Sequence, residues 1–464
     1  MKTLLSYKKK TNFGQTLLFV WLLILSAFIP LYPKFPLINV KGTYVAIRLE
    51  DFLIAIAIFW WLVVTLPKLK SFLSQTLTKS ILLFWVIGLL SLFSGIFLTL
   101  TTVPHLGFLH YLRRIEVMAL FFVAASAIRS AKQVKIWLLV MLFTTIGVVL
   151  YGFGQQYLHF PVISTTNREF SKGLILFLSP EARVNSTFAG HYDLAAYLAF
   201  FLTMLTALFF SLKKLFHKLA FFLVGLLGFL LLALTAARVS FLAVLLGMAS
   251  VFLLSGRKKL ILALVGVGLL ALLISPDLRH RTVATLTVNF LGGGGAKYVP
   301  PAQMPGVTNK FSVENAATGA ATPAAVPVDI VPGEPLNTTE LGVERSFQIR
   351  FREEWPRAVQ AFFKNPFLGT GYSSLTIATD NDYLRSLGEV GFLGTGALVL
   401  TFFVIFKKMW KIRSPLIIGL LSGLLTVFLT AAFIDVLESS KISQLLWISL
   451  GVGWGAINLK TYEN

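Results

Sequence analysis

Apolar runs close to twenty residues long recur along this chain from end to end, and about twenty residues is the helix length that crosses the hydrocarbon core of a bilayer. Twelve are legible, at 14–32, 49–66, 79–99, 115–129, 134–156, 191–212, 217–235, 238–255, 258–275, 388–408, 412–433 and 439–457, the fourth being the shortest. Composition agrees, with 56% of the 464 residues hydrophobic and a mean hydropathy of +0.79. Lipid offers no partner to a backbone N–H or C=O, and a helix satisfies these groups within itself. The expected fold is therefore an all-α polytopic membrane protein with about 12 transmembrane helices.

Charge sets the expected orientation. Lys and Arg flanking short loops are retained in the cytoplasm. With Lys2, Lys8, Lys9 and Lys10 inside, the inner segments collect 21 basic residues against one acid, Glu463, and the opposite side holds 20 basic and 19 acidic residues. Almost all of the net charge of +21 thus falls on one face, and both termini are expected in the cytoplasm. These cations are spread over short loops rather than gathered into a groove, so the basic balance does not call for a nucleic-acid partner. The absence of cysteine excludes disulfides, thiolate metal sites and a cysteine nucleophile. No small-residue cleavage site follows the first apolar run, which is read as a retained span rather than a signal peptide.

Three regions follow. Residues 1–275 carry spans one to nine, with outer loops at 100–114 (His105, His110, Arg113, Arg114) and 157–190 (Arg168, Glu169, Lys172, Glu181, Arg183). Residues 276–387 form a large extracytoplasmic loop. Its stretch 291–340 contains the run from Gly292 to Gly295, seven prolines and an Ala/Thr/Val-rich tract, a composition expected to be disordered or loosely held. Beyond it, Phe351, Trp355, Val359 and Phe362 recur at helical spacing and predict an amphipathic helix. Pro356 is expected either to kink that helix or to open its second half. Residues 388–464 hold the last three spans and a cytoplasmic tail.

A charge near membrane depth costs about 2.5 to 3.5 kcal/mol, so each is a functional candidate. Glu50 and Asp51 open the second span and Glu389 the tenth, where helix capping by carboxylates accounts for them. Arg238 is the sole charge in the short connection LTAARVSF, a place that suits either a membrane anchor or a ligand contact. Arg183, His191 and Asp193 form a compact polar approach to the sixth span, with structural and ligand-contacting roles equally open. The segment TDNDYLRSLGEVGFLG puts Asp380, Asn381, Asp382 and Arg385 before the tenth span, where the carboxylates fit a helix cap, a metal site or a general base. Asp-x-Asp is also the pattern by which nucleotide-sugar enzymes hold a divalent cation, but nucleotide sugars lie on the other side of this membrane.

Four segments, RVNSTFAGHYDLAAYL from 183, LTAARVSFLAVLLG from 234, RFREEWPRAVQAFFKNPFLGTGYSS from 350 and TDNDYLRSLGEVGFLG from 379, together resemble the O-antigen ligase and O-antigen polymerase superfamily of bacterial envelope glycosyltransferases. The last two are the more specific. With the hydropathy pattern, the resemblance extends over most of the chain outside the low-complexity insert. It implies a GT-C-like enzyme of the cytoplasmic (inner) membrane with an outward-facing site. The donor would be an undecaprenyl-pyrophosphate-linked glycan, and the acceptor another glycan or a lipid-glycan such as lipid A core. No cofactor and no metal are implied.

Residue by residue, the resemblance puts Arg183 and Arg238 at the pyrophosphate and Asp380 at the catalytic position. His191, Asp193, Arg352, Asn381, Asp382 and Arg385 would be supporting or acceptor contacts. Ligases of this family usually carry His where this chain has Asp380, a departure that turns the expectation toward polymerases. The chemistry agrees: arginine holds phosphate oxygens bidentately at any working pH, and a carboxylate can take the proton of an attacking hydroxyl. A lipid-oligosaccharide flippase and a noncatalytic envelope-assembly partner are the rival readings. No second half of the chain echoes the first, as the two-half architecture of transporters would require.

Overall fold

The computed structural model describes residues 13–33, 35–40, 46–162, 183–290, 347–375, 379–438 and 440–461. Among the described residues it is helical apart from a short antiparallel hairpin, Pro36–Asn39 with Ala46–Arg48, and a bridge residue at Val162. Helices α1 (Phe13–Leu31), α2 (Leu49–Thr65), α3 (Leu69–Ser74), α4 (Thr76–Phe93), α5 (Pro104–Ala127), α6 (Ala131–Tyr157), α7 (His191–Phe209), α8 (Leu215–Leu234), α9 (Arg238–Leu254) and α10 (Leu260–Ile274) follow in order. After α11 (Pro276–Ala284) and α12 (Trp355–Lys364) come α13 (Asp382–Trp410), α14 (Pro415–Ala431) and α15 (Ser440–Thr461). The chain divides into two units, one of residues Met1–Leu278 with Glu354–Asn464 and one of Arg279–Glu353.

A helix stands at each of the twelve positions read from the hydropathy. Among the described residues, eight are long and apolar enough to cross a membrane, or nine if Leu260–Ile274 and Pro276–Thr287, broken between them, count as one span. The chain is a multi-pass membrane protein. Large apolar side chains such as Phe143, Phe222, Leu262 and Val399 stand exposed on the outside of these helices, where lipid is the only solvent that does not penalise them.

Several boundaries differ from expectation. The segment 100–114 is not a connector from Pro104 onward, because α5 runs unbroken through His105, His110, Arg113 and Arg114 into the apolar stretch. The tenth span begins at Asp382 rather than 388, so Glu389 sits inside the helix and not at its opening. The large loop starts helically with α11; of the two expectations for Pro356, the structure shows the second, with the proline in the first turn of α12. The expected low-complexity stretch 291–340 and the charges Arg168, Glu169, Lys172 and Glu181 lie outside the described residues.

Helix directions follow from who meets whom. The Thr203 and Thr426 hydroxyls are 3.1 Å apart, and a side chain on Gly247 would collide with both. Further along, Ala207, Val251 and Ile418 share an apolar cluster. From the first level to the second, α7 and α9 ascend in number while α14 descends. The starts of α7 and α9 therefore share an end of the bundle with the finish of α14. Between α5 and α15, Gly451 packs on Phe121 and Ala124 and Gly455 on Ala125 and Ile128, the small-residue contact that lets two helices approach closely without a hydrophobic driving force.

Helix α13 is broken at Gly391, whose φ of 65° and ψ of −169° interrupt the ladder. The segment Asn365–Tyr372, read as NPFLGTGY, fills the break with main chain. Thr370 and Gly371 donate their N–H groups to the carbonyls of Gly388 and Glu389, and Phe392 and Leu393 donate theirs to Pro366 and Phe367, all at 2.8–3.1 Å. Gly369 and Gly391 both have positive φ, and a Cβ on either would strike the other strand's backbone. Non-helical backbone at this depth is tolerable only because the protein itself supplies these partners.

Candidate functional site

One end of the bundle gathers the candidate residues. Four of its helices open within a few residues of a non-glycine residue in the left-handed region: Leu100 (φ 53°) precedes α5, Ser186 (φ 51°) precedes α7, Ala236 (φ 50°) precedes α9, and Asp380 (φ 48°) precedes α13. Such residues cost about 1 to 3 kcal/mol each and persist only when their surroundings over-determine them.

At the first opening, Gln155 from α6 grips Ser186 with both ends of its amide. Its oxygen accepts the Ser186 N–H at 2.7 Å and its nitrogen donates to the Ser186 carbonyl at 3.0 Å. The Ser186 hydroxyl donates to the Val148 carbonyl at 2.7 Å. Arg183 Nη1 lies 2.7 Å from His191 Nε2. A guanidinium can only donate, so Nε2 is the accepting nitrogen and His191 is neutral with its proton on Nδ1. Lys441, fully buried at the start of α15, donates to the carbonyls of Pro30, Tyr32 and Thr187 and lies over the Phe188 ring, tying this opening to α1. Asp193 stands in the first turn of α7, within electrostatic reach of Arg48.

At the second opening, Arg238 is the first residue of α9. The Thr235 hydroxyl donates to the Leu232 carbonyl and accepts from the Ala237 N–H, closing the end of α8.

The third opening is the most heavily built. Asn381 caps α13 by accepting the Leu384 N–H at 3.0 Å, and its amide nitrogen donates to the Ala432 carbonyl. The Asp382 carboxylate accepts the N–H groups of Val436 and Leu437, each at 2.8 Å. Arg385, buried one turn on, is the hub of an ion-pair network with Asp435 at 3.1 Å, Glu389 at 3.5 Å and Glu438 at 3.8 Å. Glu438 is shared with Arg114 of α5, which also donates to the Leu437 carbonyl.

A second set of charges adjoins it. Arg113 pairs with Asp51 at 3.0 Å, and Asp51 also accepts the Arg48 N–H at 2.9 Å, so the carboxylate caps α2 as expected and holds α5 as well. Glu50 is buried 3.9 Å from the Arg48 guanidinium. Burial pulls the Arg48 guanidinium below its ordinary range, and Glu50 beside it works in the opposite direction. His110 lies within electrostatic reach of Arg385, Arg113 and Arg114 and so bridges the two sets. Tyr372, in the segment that fills the α13 break, packs on Tyr111.

Of the residues expected from sequence, the structure brings Arg183 into contact with His191 and gathers Asn381, Asp382 and Arg385 around the α14–α15 connection. Arg183, Arg238 and Asp380 share one end of the bundle, at three separate openings. Arg352 belongs to the second unit, in the turn Ile349–Glu354. The Asp382 carboxylate is turned onto the backbone of Val436 and Leu437. Among the described residues, no group of three or more His, Asp or Glu side chains is placed to hold a metal ion.

Asp435, Glu438 and Gln155 were missed. The first two stand in the connection FIDVLESS between two spans, and a pair of acids in so short a link was the available signal. Gln155 gave only the weaker signal of an amide near the end of an apolar run. Compared with known protein families and with curated proteins, the chain returns no match.

Proposed function

We propose that this protein is a membrane glycosyltransferase that transfers or polymerises an undecaprenyl-pyrophosphate-linked oligosaccharide at the outer face of the cytoplasmic membrane. On this reading the twelve helices are twelve spans in a GT-C-like arrangement with both termini in the cytoplasm. The observation that carries it is the trio of left-handed residues, one at each opening bearing Arg183, Arg238 or Asp380, at the same end of the bundle. Backbone held away from its preferred conformation at three helix openings of one end is an arrangement expected of a preorganised site.

In the proposed reaction, Arg183 and Arg238 hold the pyrophosphate oxygens and stabilise the leaving lipid pyrophosphate. The Asp380 carboxylate takes the proton of the acceptor hydroxyl as that oxygen attacks the anomeric carbon, and direct attack inverts the configuration there. Aspartate is a weaker base than histidine by about 2.6 pK units, so proton transfer falls late in the transition state. Asp380, standing where ligases of the family usually carry His, favours a polymerase with a carboxylate base over a ligase with a histidine one.

The test is turnover by the purified protein of carrier-linked glycan extracted from cells lacking the gene. Asp380→Asn is expected to lower the rate by about 10² to 10⁴-fold, the range of general base catalysis. Arg238→Lys keeps the charge, loses the two-pronged contact and is expected to be impaired. Wild-type turnover in Asp380→Asn removes the base, and vesicle transport of the lipid-linked glycan without any turnover replaces the enzyme by a flippase. Lipid-linked glycans in deletion cells separate the two branches, because a lost polymerase leaves single repeats and a lost ligase leaves long chains.

A further inference from the structure

Asp380 is flanked on both sides by hydrogen bonds to one side chain 55 residues away. The Asp435 carboxylate accepts the Thr379 N–H on Oδ2 at 2.8 Å and the Asn381 N–H on Oδ1 at 3.2 Å. The same Oδ2 takes Arg385 Nη1 at 3.1 Å, which fixes the carboxylate in turn. Between the two gripped amides sits Asp380 with φ at 48°. A non-glycine residue leaves that conformation unless its neighbours are held, and here one carboxylate holds both.

The clasp is reciprocal. Asp382, two residues after Asp380, accepts the N–H groups of Val436 and Leu437, directly after Asp435. Asn381 donates to the Ala432 carbonyl just before it. The short α14–α15 connection and the approach to α13 thus each supply a carboxylate that binds the other's backbone, and Asp380 is at the centre of the approach.

We infer that Asp435 is a positioning residue for Asp380: it locks the backbone on either side and so sets where the Asp380 carboxyl stands relative to the acceptor hydroxyl. This rests on the proposed role of Asp380 as base. Asp435 itself touches no reacting atom. Its loss is expected in kcat and not in KM, because a base displaced by about an ångström costs on the order of 100-fold in rate.

The decisive experiment is a double-mutant cycle on the purified full-length protein, using carrier-linked glycan extracted from deletion cells and reading release of undecaprenyl pyrophosphate. Asp435→Ala is expected to lower kcat about 100-fold with KM within about twofold, and to cause no further loss when added to Asp380→Asn. An equal loss in both backgrounds shows that Asp435 acts independently of Asp380 and overturns the inference. So does Asp435→Ala or Asp435→Asn turnover at the wild-type rate. Asp435→Asn keeps one accepting oxygen and covers the case in which the alanine variant fails to fold, with a loss of about tenfold expected. Hydrogen exchange at the amides of Thr379 and Asn381 is expected to rise in both variants, and unchanged protection there overturns the clasp. Wild-type turnover by Asp380→Asn alone refutes the base and leaves the hydrogen-exchange result to judge the clasp.

Discussion

The two ends of the helix bundle are charged in opposite styles. At the end where α5, α7, α9 and α13 finish, the cations Lys132, Lys135, Lys213, Lys214, Arg257, Lys258, Lys259, Lys407, Lys411 and Arg413 are all exposed. Some cations at this end meet aromatic rings: Arg257 lies over Phe210, Arg413 over Trp410 and the half-buried Lys408 over Trp454, each within 5 Å of the centroid, and Lys408 also donates to the Asn458 side chain. At the other end several cations are buried or half-buried and meet carboxylates, as Arg385 meets Asp435, Glu389 and Glu438 and Arg113 meets Asp51. Exposed charge at a membrane surface sets orientation and costs little, since water and headgroups solvate it. Buried charge is costly and persists only when paired and hydrogen-bonded.

Arg385→Met is expected to break this contrast most severely. It leaves three carboxylates without their shared cation, and loss of one partner of a buried pair costs about 3 to 5 kcal/mol. Thermal unfolding of the purified variant in detergent measures it, and a shift no larger than that of a surface substitution would mean that the network is solvated.

Lys441→Met comes next. Similar in length, it strands the carbonyls of Pro30, Tyr32 and Thr187. Each buried acceptor left unmade costs about 1 to 3 kcal/mol, a loss offset because the variant no longer buries an ammonium charge, and the same melting experiment should fall between Arg385→Met and the wild type. Proteolysis near the Arg183–His191 opening should rise in parallel, since Thr187 is one of the three attachments.

Lys258→Gln, at the opposite end, should shift stability by no more than about 0.5 kcal/mol. A loss comparable with that of Lys441→Met would erase the distinction between the ends.

Orientation itself can be read without perturbing stability. The chain has no native cysteine, so single cysteines report cleanly. An impermeant maleimide added to intact cells should label Thr322→Cys and spare Lys214→Cys. The reverse pattern would turn the buried network, and with it the proposed site, toward the cytoplasm.

The apolar helices were legible one by one because lipid imposes its requirement locally: a run of about twenty apolar residues needs no distant partner to be recognised. Polar breaks were less so. Helix α5 was read short because His105, His110, Arg113, Arg114 and Glu116 depress the hydropathy of its first half, although helical backbone continues through them. The interruption at Gly391 leaves no mark in hydropathy, since apolar residues continue on both sides, and becomes visible only when Asn365–Tyr372 is seen inside it. Arg183, Arg238 and Asp380 stood out as charges beside apolar runs. Their supports did not, because a carboxylate at 435 has no local sign that it will hold the amides at 379 and 381.

By itself, then, the sequence determined that this chain is helical, that it belongs in a membrane, and which polar segments flank its helices, all of which depend on the composition of short windows. Only the tertiary structure decided that the openings bearing Arg183, Arg238 and Asp380 begin after left-handed residues. It alone decided that Arg385 gathers Asp435, Glu389 and Glu438, and that one aspartate grips both sides of another. The physical reason is that a buried charge survives through its partners, and partners separated by tens or hundreds of residues meet only when the helices between them are packed.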